Sequence, residues 1–475
     1  MSNHPPSTRN GAYDVAVLGA GSAGFSAAIT AADEGAQVAL IGHGTIGGTC
    51  VNVGCVPSKA LIRAAESLHV ANAADRFDGI EGSARVTDWK ALVGQKQDLV
   101  DDLRKAKYSD ILPAYNSVAY LEGKASFAEG GALLVDGKRI EADKIIIATG
   151  TRPAMPSIKG IEDVPYLTST TALQLEELPA SLLVIGAGYI GAEIAQVFAR
   201  AGVEVTLISR RGLLPEAEPE IGEALTRFFR HEGIKIVSGI VYDRIEEDNN
   251  AIRLHVLRDG KAEAMTAEKV LIATGRTPNT ESLNLAAGGI EMTANSGVMV
   301  DPQMRTSREG VYAAGDVTGR DQFVYMAAYG AKIAAKNAMN GNSISYDNSV
   351  MPAVVFTDPQ VASVGMTEAE ARAEAIDVKT SVLTLDNVPR ALAARDTRGL
   401  IKLLADNKTG KLIGAHILAP EGSDSIQTAA LAIKMEMTYS DLAATIFPYL
   451  TTVEGLKLAA QTFDMDVKKL SCCAG

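Results

Sequence analysis

Short apolar runs, each ended by a glycine turn, recur along the chain. Tyr13-Asp14-Val15-Ala16-Val17-Leu18 has strand length and breaks at Gly19-Ala20-Gly21-Ser22-Ala23-Gly24. A helix is expected to open there and run over Phe25 to Glu34, before a second strand, Val38-Ala39-Leu40-Ile41. Runs apolar on both faces suit a parallel sheet covered by helices. The same order returns at 182–209: Leu182 to Ile185, then Gly186-Ala187-Gly188-Tyr189-Ile190-Gly191, a helix through Ala201, then Val203 to Ile208. Two further runs, Ile145 to Gly150 and Val270 to Gly275, end in Thr-Gly, and Gly310 to Asp316 ends a strand in a carboxylate. This order predicts an α/β fold with two Rossmann-like domains, the second (161–276) inserted in the first (12–160 and 277–345). After about residue 346 the glycine turns cease. Strands are expected at 352–356, 381–385, 400–404 and 412–417, a capping box at Thr367 and Glu370, and helices at about 423–436 and 438–446. Strands followed by helices predict a separate α+β domain, 346–475.

The glycines have a chemical reading. Gly19, Gly21 and Gly24 permit a tight turn and bring backbone close to a pyrophosphate at a helix N-terminus. Gly186, Gly188 and Gly191 repeat them, so two dinucleotides are expected. The acidic residue that would bond a ribose after the second strand is replaced by Gly42. In the second copy the strand ends in Ser209-Arg210-Arg211. Arginine pairs with a 2′-phosphate that a carboxylate would repel, so NADPH is expected over NADH. A solvated turn is the competing reading of these arginines.

Two of the four cysteines, Cys50 and Cys55, stand in Gly47-Gly48-Thr49-Cys50-Val51-Asn52-Val53-Gly54-Cys55-Val56-Pro57-Ser58-Lys59. Pro57 suits a helical first turn, and a helix N-terminus favours thiolate. The pair therefore reads as redox-active; two buried structural thiols or half a zinc site are the alternatives, and no further His or Cys lies at zinc-site spacing nearby. A net charge of −12 argues against binding to nucleic acid. Met1 to Gly11 is polar and lacks the apolar core of a signal peptide, so a disordered tail is expected. No apolar stretch reaches the roughly 18 residues of a membrane span. The cytoplasm is the expected compartment.

Together these motifs resemble the pyridine nucleotide–disulfide oxidoreductases, the group of glutathione reductase and dihydrolipoyl dehydrogenase. The resemblance implies FAD on the first fingerprint (Gly19, Gly21, Ser22, Ala23, Gly24, with Gly48, Thr49, Thr149, Gly150 and Asp316). It implies NADPH on the second, with Gly186, Gly188, Tyr189, Gly191, Arg210, Arg211 and Gly275. Lys59 would lie at the flavin and pair with Glu193, and Tyr189 would gate the nicotinamide. Disulfide reductases of the group carry His-Pro-x-x-x-Glu near the C-terminus. Here the stretch is Phe447-Pro448-Tyr449-Leu450-Thr451-Thr452-Val453-Glu454, with Tyr449 at the His position and no histidine nearby in sequence. Without an imidazole, proton exchange with a dithiol is poor. The tail ends Ser471-Cys472-Cys473-Ala474-Gly475, and paired thiolates select soft metals. These features are similar to the mercury-reducing members. That likeness implies Hg(II) as substrate, delivered from small-thiol carriers, with Cys50, Cys55, Cys472, Cys473, Tyr108 and Tyr449 at the metal. It also implies a homodimer sharing its active sites. The chain starts eighteen residues before Gly19, and no preceding metal-binding domain is expected. A thioredoxin-type disulfide reductase with a tail dithiol relay and a non-catalytic Hg(II)-binding protein are the alternatives.

Overall fold

In the computed structural model, which describes residues 12–470, Val15, Ala16, Val17 and Leu18 are fully buried in a central strand, Tyr13–Leu18. Side chains alternate across a strand, and here both faces are apolar. Val15 and Val17 face a cluster built on the helices Ser22–Asp33 and Val324–Asn340. Ala16 and Leu18 face Phe127, Leu133 and Val135 of a small antiparallel meander. The parallel sheet has the order Val311–Ala313, Ala142–Ile147, Tyr13–Leu18, Val38–Gly42, Val118–Glu122. These elements belong to one of two units, comprising the chain through Ser58, Ala91–Ala154 and Gly275–Asn348.

The other unit comprises Lys59–Lys90, Met155–Thr274 and the chain from Ser349 on. It holds a second parallel sheet in the order Lys235–Val237, Glu204–Ile208, Ser181–Ile185, Lys269–Ile272, Tyr166–Thr168. A cover of three antiparallel strands, Ile240–Asp248, Ala251–Arg258 and Lys261–Ala267, buries one face of this sheet; charged residues alternating on its outer side hid this cover from the apolar pattern. The two glycine turns are close structural copies. A Cβ at Gly24 would lie 1.7 Å from the Gly19 carbonyl oxygen, and one at Gly191 1.9 Å from that of Gly186. At the first copy the helix begins at Ser22 rather than Phe25, with Gly21 as its cap; at the second it begins at Tyr189, with Gly188 as its cap.

The remaining sheet is antiparallel, in the order Ala353–Val355, Gln360–Gly365, Leu412–Ala419, Leu400–Asp406, Val378–Thr384. The helices Gly422–Lys434, Tyr439–Ala444 and Glu454–Gln461 share its core. The Thr367–Glu370 capping box opens the helix Glu368–Ala373. The strand Gln360–Gly365 was not anticipated. Val361, Ala362 and Val364 are buried there, and backbone pairing to Leu412–Ala419 holds the strand.

Within this unit the antiparallel sheet is joined to the second parallel domain through buried charge. Lys402, 2% exposed, donates to Glu218 at 2.8 Å, Glu220 at 2.9 Å and Glu368 at 2.8 Å. Glu218 is equally buried. Removing one partner of a buried pair leaves a charge that neither water nor protein compensates, at about 3–5 kcal/mol. Lys402→Met should therefore lower the unfolding free energy by about 3 kcal/mol or more, seen as a lower urea midpoint. Nearby, His416 Nε2 donates to the Met366 carbonyl at 2.9 Å. Burial holds its pKa below the ordinary 6.5, as it does for His69. The unfolded chain takes up these protons as pH falls past 6.5 while the folded chain refuses them. Stability present above pH 6.5 should thus decline toward pH 5, and His69→Gln/His416→Gln should flatten that slope of melting temperature against pH.

Candidate active site

The cysteine stretch lies directly on the first glycine turn. Gly47 and Gly48 have φ of +98° and +66°, and a Cβ at Gly48 would lie 2.6 Å from Gly21 Cα. That approach requires glycine at position 48, whereas a Cβ at Gly21 would lie 3.5 Å from Gly48 Cα, an ordinary contact. Cys50 then sits in a short helix, Gly48–Asn52, and Cys55 is the first residue of the helix Cys55–Asn72. That position sets the Cys55 sulfur where the partial positive charge of a helix start favours thiolate. Both thiols are half-buried. Asn52 pins the loop, its Nδ2 donating to the carbonyls of Ile46 and Gly48 at 2.9 Å each. Arg104 donates to Asn52 Oδ1 at 3.2 Å. Neither residue was singled out from sequence, although Asn52 stands between the cysteines and offered a signal.

Tyr108 belongs to the same unit and lies in a single turn of π-helix, Lys105–Ser109. Such turns often accompany functional positions. Its hydroxyl is 3.2 Å from Ser22 Oγ, and its ring meets Phe25 edge-on at 4.8 Å. Burial raises the Tyr108 pKa, and the charges of Cys50 and Cys55 raise it further. Tyr108 is thus brought within electrostatic reach of both thiols. Asp316, at the end of its strand, accepts from Thr151 Oγ1 at 3.0 Å. Arg276 Nε donates to that same hydroxyl at 2.7 Å. Burial raises the Asp316 pKa and lowers that of Arg276, whose charge also interacts with Cys55. Arg276 is a second residue the sequence did not flag. The turn at Thr149 and Gly150 is held by Asn279, whose Nδ2 donates to the Thr149 carbonyl at 2.9 Å.

In the other unit, Lys59 Nζ donates to Glu193 Oε2 at 2.7 Å. Glu193, 7% exposed, also accepts from the Phe356 amide at 2.8 Å. Lys59 lies over the Phe356 ring, 4.9 Å from its centre. Tyr189 starts the second fingerprint helix, where burial raises its pKa. Of the two arginines after Glu204–Ile208, Arg211 pairs with exposed Glu216. Arg210 acts electrostatically on Tyr242, whose pKa burial pushes up to about 12. Tyr449 is 55% exposed, one residue before Leu450, whose amide donates to Glu454 Oε2 at 3.1 Å. Cys472 and Cys473 lie outside the described residues.

Residues 13–335 match the family described as "Pyridine nucleotide-disulphide oxidoreductase", and residues 351–460 match its dimerisation domain. Proteins named mercuric reductase align over 98% of the chain. That of Lysinibacillus sphaericus is 47% identical, over 85% of its own length. That of Shigella flexneri is 48% identical over 83%, and that of Streptomyces lividans 46% over 98%. Among solved structures, the Cu(II) complex of the HOCl-induced flavoprotein disulfide reductase RclA from Escherichia coli superposes with a TM-score of 0.85 at 31% identity, covering 95% of this chain and 99% of that one.

Asn52→Ala should loosen the loop between the thiols. Two side-chain hydrogen bonds to backbone are lost, at about 1 kcal/mol each. The rate of Cys50 alkylation by iodoacetamide should rise severalfold, read by peptide mass spectrometry; an unchanged rate would show the loop held without Asn52.

Proposed function

Because the chain belongs to the pyridine nucleotide–disulphide oxidoreductase family, we propose that it is a mercury(II) reductase. The overall reaction is Hg(II) + NADPH → Hg(0) + NADP⁺ + H⁺, with FAD as the bound cofactor and mercury detoxification as its role. The feature that carries this reading is Tyr449, which stands where disulfide reductases place their acid–base His. The relatives at 46–48% identity support it.

The two nucleotides fit the chain. Both fingerprint helices start at a glycine with no side-chain cap, Gly21 and Gly188, so their first amides are available to a pyrophosphate. Ser22, Gly48, Thr49, Thr149, Gly150 and Asp316 would hold FAD. Gly186, Gly191, Gly275, Arg210 and Arg211 would hold NADPH. Bound FAD supplies two-electron transfer between NADPH and thiols. The chain's own residues do the rest. Cys55, at the helix start, is held as the inner thiolate, and Cys50 is the outer, exchanging thiol. Cys472 and Cys473 take Hg(II) from small thiols by ligand exchange and pass it to Cys50 and Cys55. Handing the ion between thiolate pairs keeps a soft metal on soft ligands throughout. Tyr108 flanks the receiving pair, and Tyr449 of the partner subunit completes the site in a homodimer. The dimerisation domain supports that assembly. Lys59, paired with Glu193, would supply an ammonium to the flavin, and Tyr189 would gate the nicotinamide. The domains run 12–160 with 277–345, 161–276, and 346–475. Among the described residues no helix is long and apolar enough to cross a membrane, and the cytoplasm is the proposed compartment.

The likeness to RclA, named a flavoprotein disulfide reductase, favours a second reading, a disulfide reductase with a tail dithiol relay. One assay separates the two. With Hg(II) in excess thiol, absorbance at the NADPH band should fall only when metal is present. Cys55→Ala should abolish this turnover. Cys472→Ala/Cys473→Ala should weaken it most when bulky thiols hold the metal. Oxidation of NADPH by thioredoxin or an aromatic disulfide, without any response to Hg(II), would establish the second reading instead. Stoichiometric Hg(II) binding without NADPH oxidation would mark a sequestering protein.

A further inference from the structure

In doubly wound domains a carboxylate at the end of the second strand takes the ribose hydroxyls of the bound nucleotide. Here that position is Gly42, the last residue of Val38–Gly42. In the neighbouring parallel strand Glu122 pairs with Gly42 and Tyr120 with Leu40. Residues two apart share a face, so positions 40, 42, 120 and 122 project to one side. Leu40 and Tyr120 pack there with the helix Ser22–Asp33. A Cβ built at Gly42 would lie 2.5 Å from Tyr120 Oη and 2.8 Å from Ala20 Cβ in the glycine turn. The phenol therefore occupies the path that a side chain at 42 would take toward the nucleotide. Among the described residues the Tyr120 hydroxyl has no hydrogen-bond partner. Burial, and then the Glu122 charge, raise its pKa, so at neutral pH it keeps a proton to donate. Glu122 is exposed on the same face.

We propose that Tyr120, with Glu122 beside it, binds the adenosine ribose of FAD in this chain, in place of a carboxylate at position 42. The ribose ligand has moved one strand sideways, about 4.8 Å across the sheet. The hydroxyl donates to one ribose oxygen or accepts from one hydroxyl, and Glu122 accepts from the other. Gly42 is then required rather than tolerated, because no side chain fits between Tyr120 and Ala20. This proposal rests on the assignment of FAD to the first fingerprint.

The test is titration of flavin-stripped protein with FAD, read by flavin fluorescence. Tyr120→Phe keeps the ring and removes the hydroxyl. It should raise the FAD dissociation constant about tenfold, the worth of one hydrogen bond to a buried polar partner, while the melting temperature of the stripped protein stays unchanged. FAD carrying 2′,3′-dideoxyadenosine removes the contacts of both Tyr120 and Glu122, so it should lose more than about tenfold on the unaltered protein and only the smaller factor supplied by Glu122 on Tyr120→Phe. Gly42→Glu should not tighten binding. Equal FAD affinity for Tyr120→Phe and the unaltered protein overturns the proposal. So does a penalty for the dideoxy analogue that persists in full in Tyr120→Phe, or tighter binding by Gly42→Glu. If the unaltered protein takes up no FAD at all, the flavin assignment itself falls, an outcome distinct from each of these.

Discussion

Two backbones meet without side chains between them at Gly21 and Gly48, and that contact decides where the chemistry sits. It seats the short helix bearing Cys50 on the turn that opens the first fingerprint helix. Cys55 then follows as the first residue of the next helix. Tyr108 is held against the same turn through Ser22, and Asn52 closes the loop onto its own backbone. A Cβ at Gly48 would push the loop away, and the thiols with it. Thiol chemistry depends on such placement, because the partial positive charge of a helix start favours thiolate over thiol.

A second set of constraints operates through buried charge. Lys402 with three glutamates joins the antiparallel sheet to the helix Pro219–His231 and the helix Glu368–Ala373. Arg200 makes a two-point pair with Glu232 and also reaches Asp358, which pairs with Arg398. The Lys59–Glu193 pair ties the turn of chain at Lys59 to the second fingerprint helix of the same unit. Buried pairs add little net stability over apolar packing, but breaking one is costly. Their effect here is to fix which element meets which, a requirement that apolar contact alone meets less strictly.

The fold is shared with reductases that act on disulfides, so the substrate is decided by a few side chains at the periphery of a common core. On the proposed reading, Tyr449 stands in place of the imidazole that shuttles protons for a dithiol. A phenol does not titrate near neutrality. Gly42 and Tyr120 are a second local departure of this kind, at the cofactor end of the first domain. There the Tyr120 hydroxyl lies 2.5 Å from where a Cβ at position 42 would stand.

The glycine turns, the apolar runs before them, the cysteine stretch and the Tyr449 substitution were all legible in the sequence. Each is a local pattern whose physical cause lies within a few residues: strand periodicity, backbone clearance, helix-start chemistry. The Lys59–Glu193 pair was legible too, but only through family resemblance, since the two residues are distant in sequence. What the tertiary structure alone decided depends on contacts between distant segments. Arg276 was silent because its partners Thr151 and Asp316 lie far from it in the chain. The meander over the second sheet was silent because charged residues alternate through it. Gly42 looked in sequence like a lost ribose contact. The fold shows that position to be filled from the next strand by Tyr120, because parallel neighbours set side chains from distant segments on the same face.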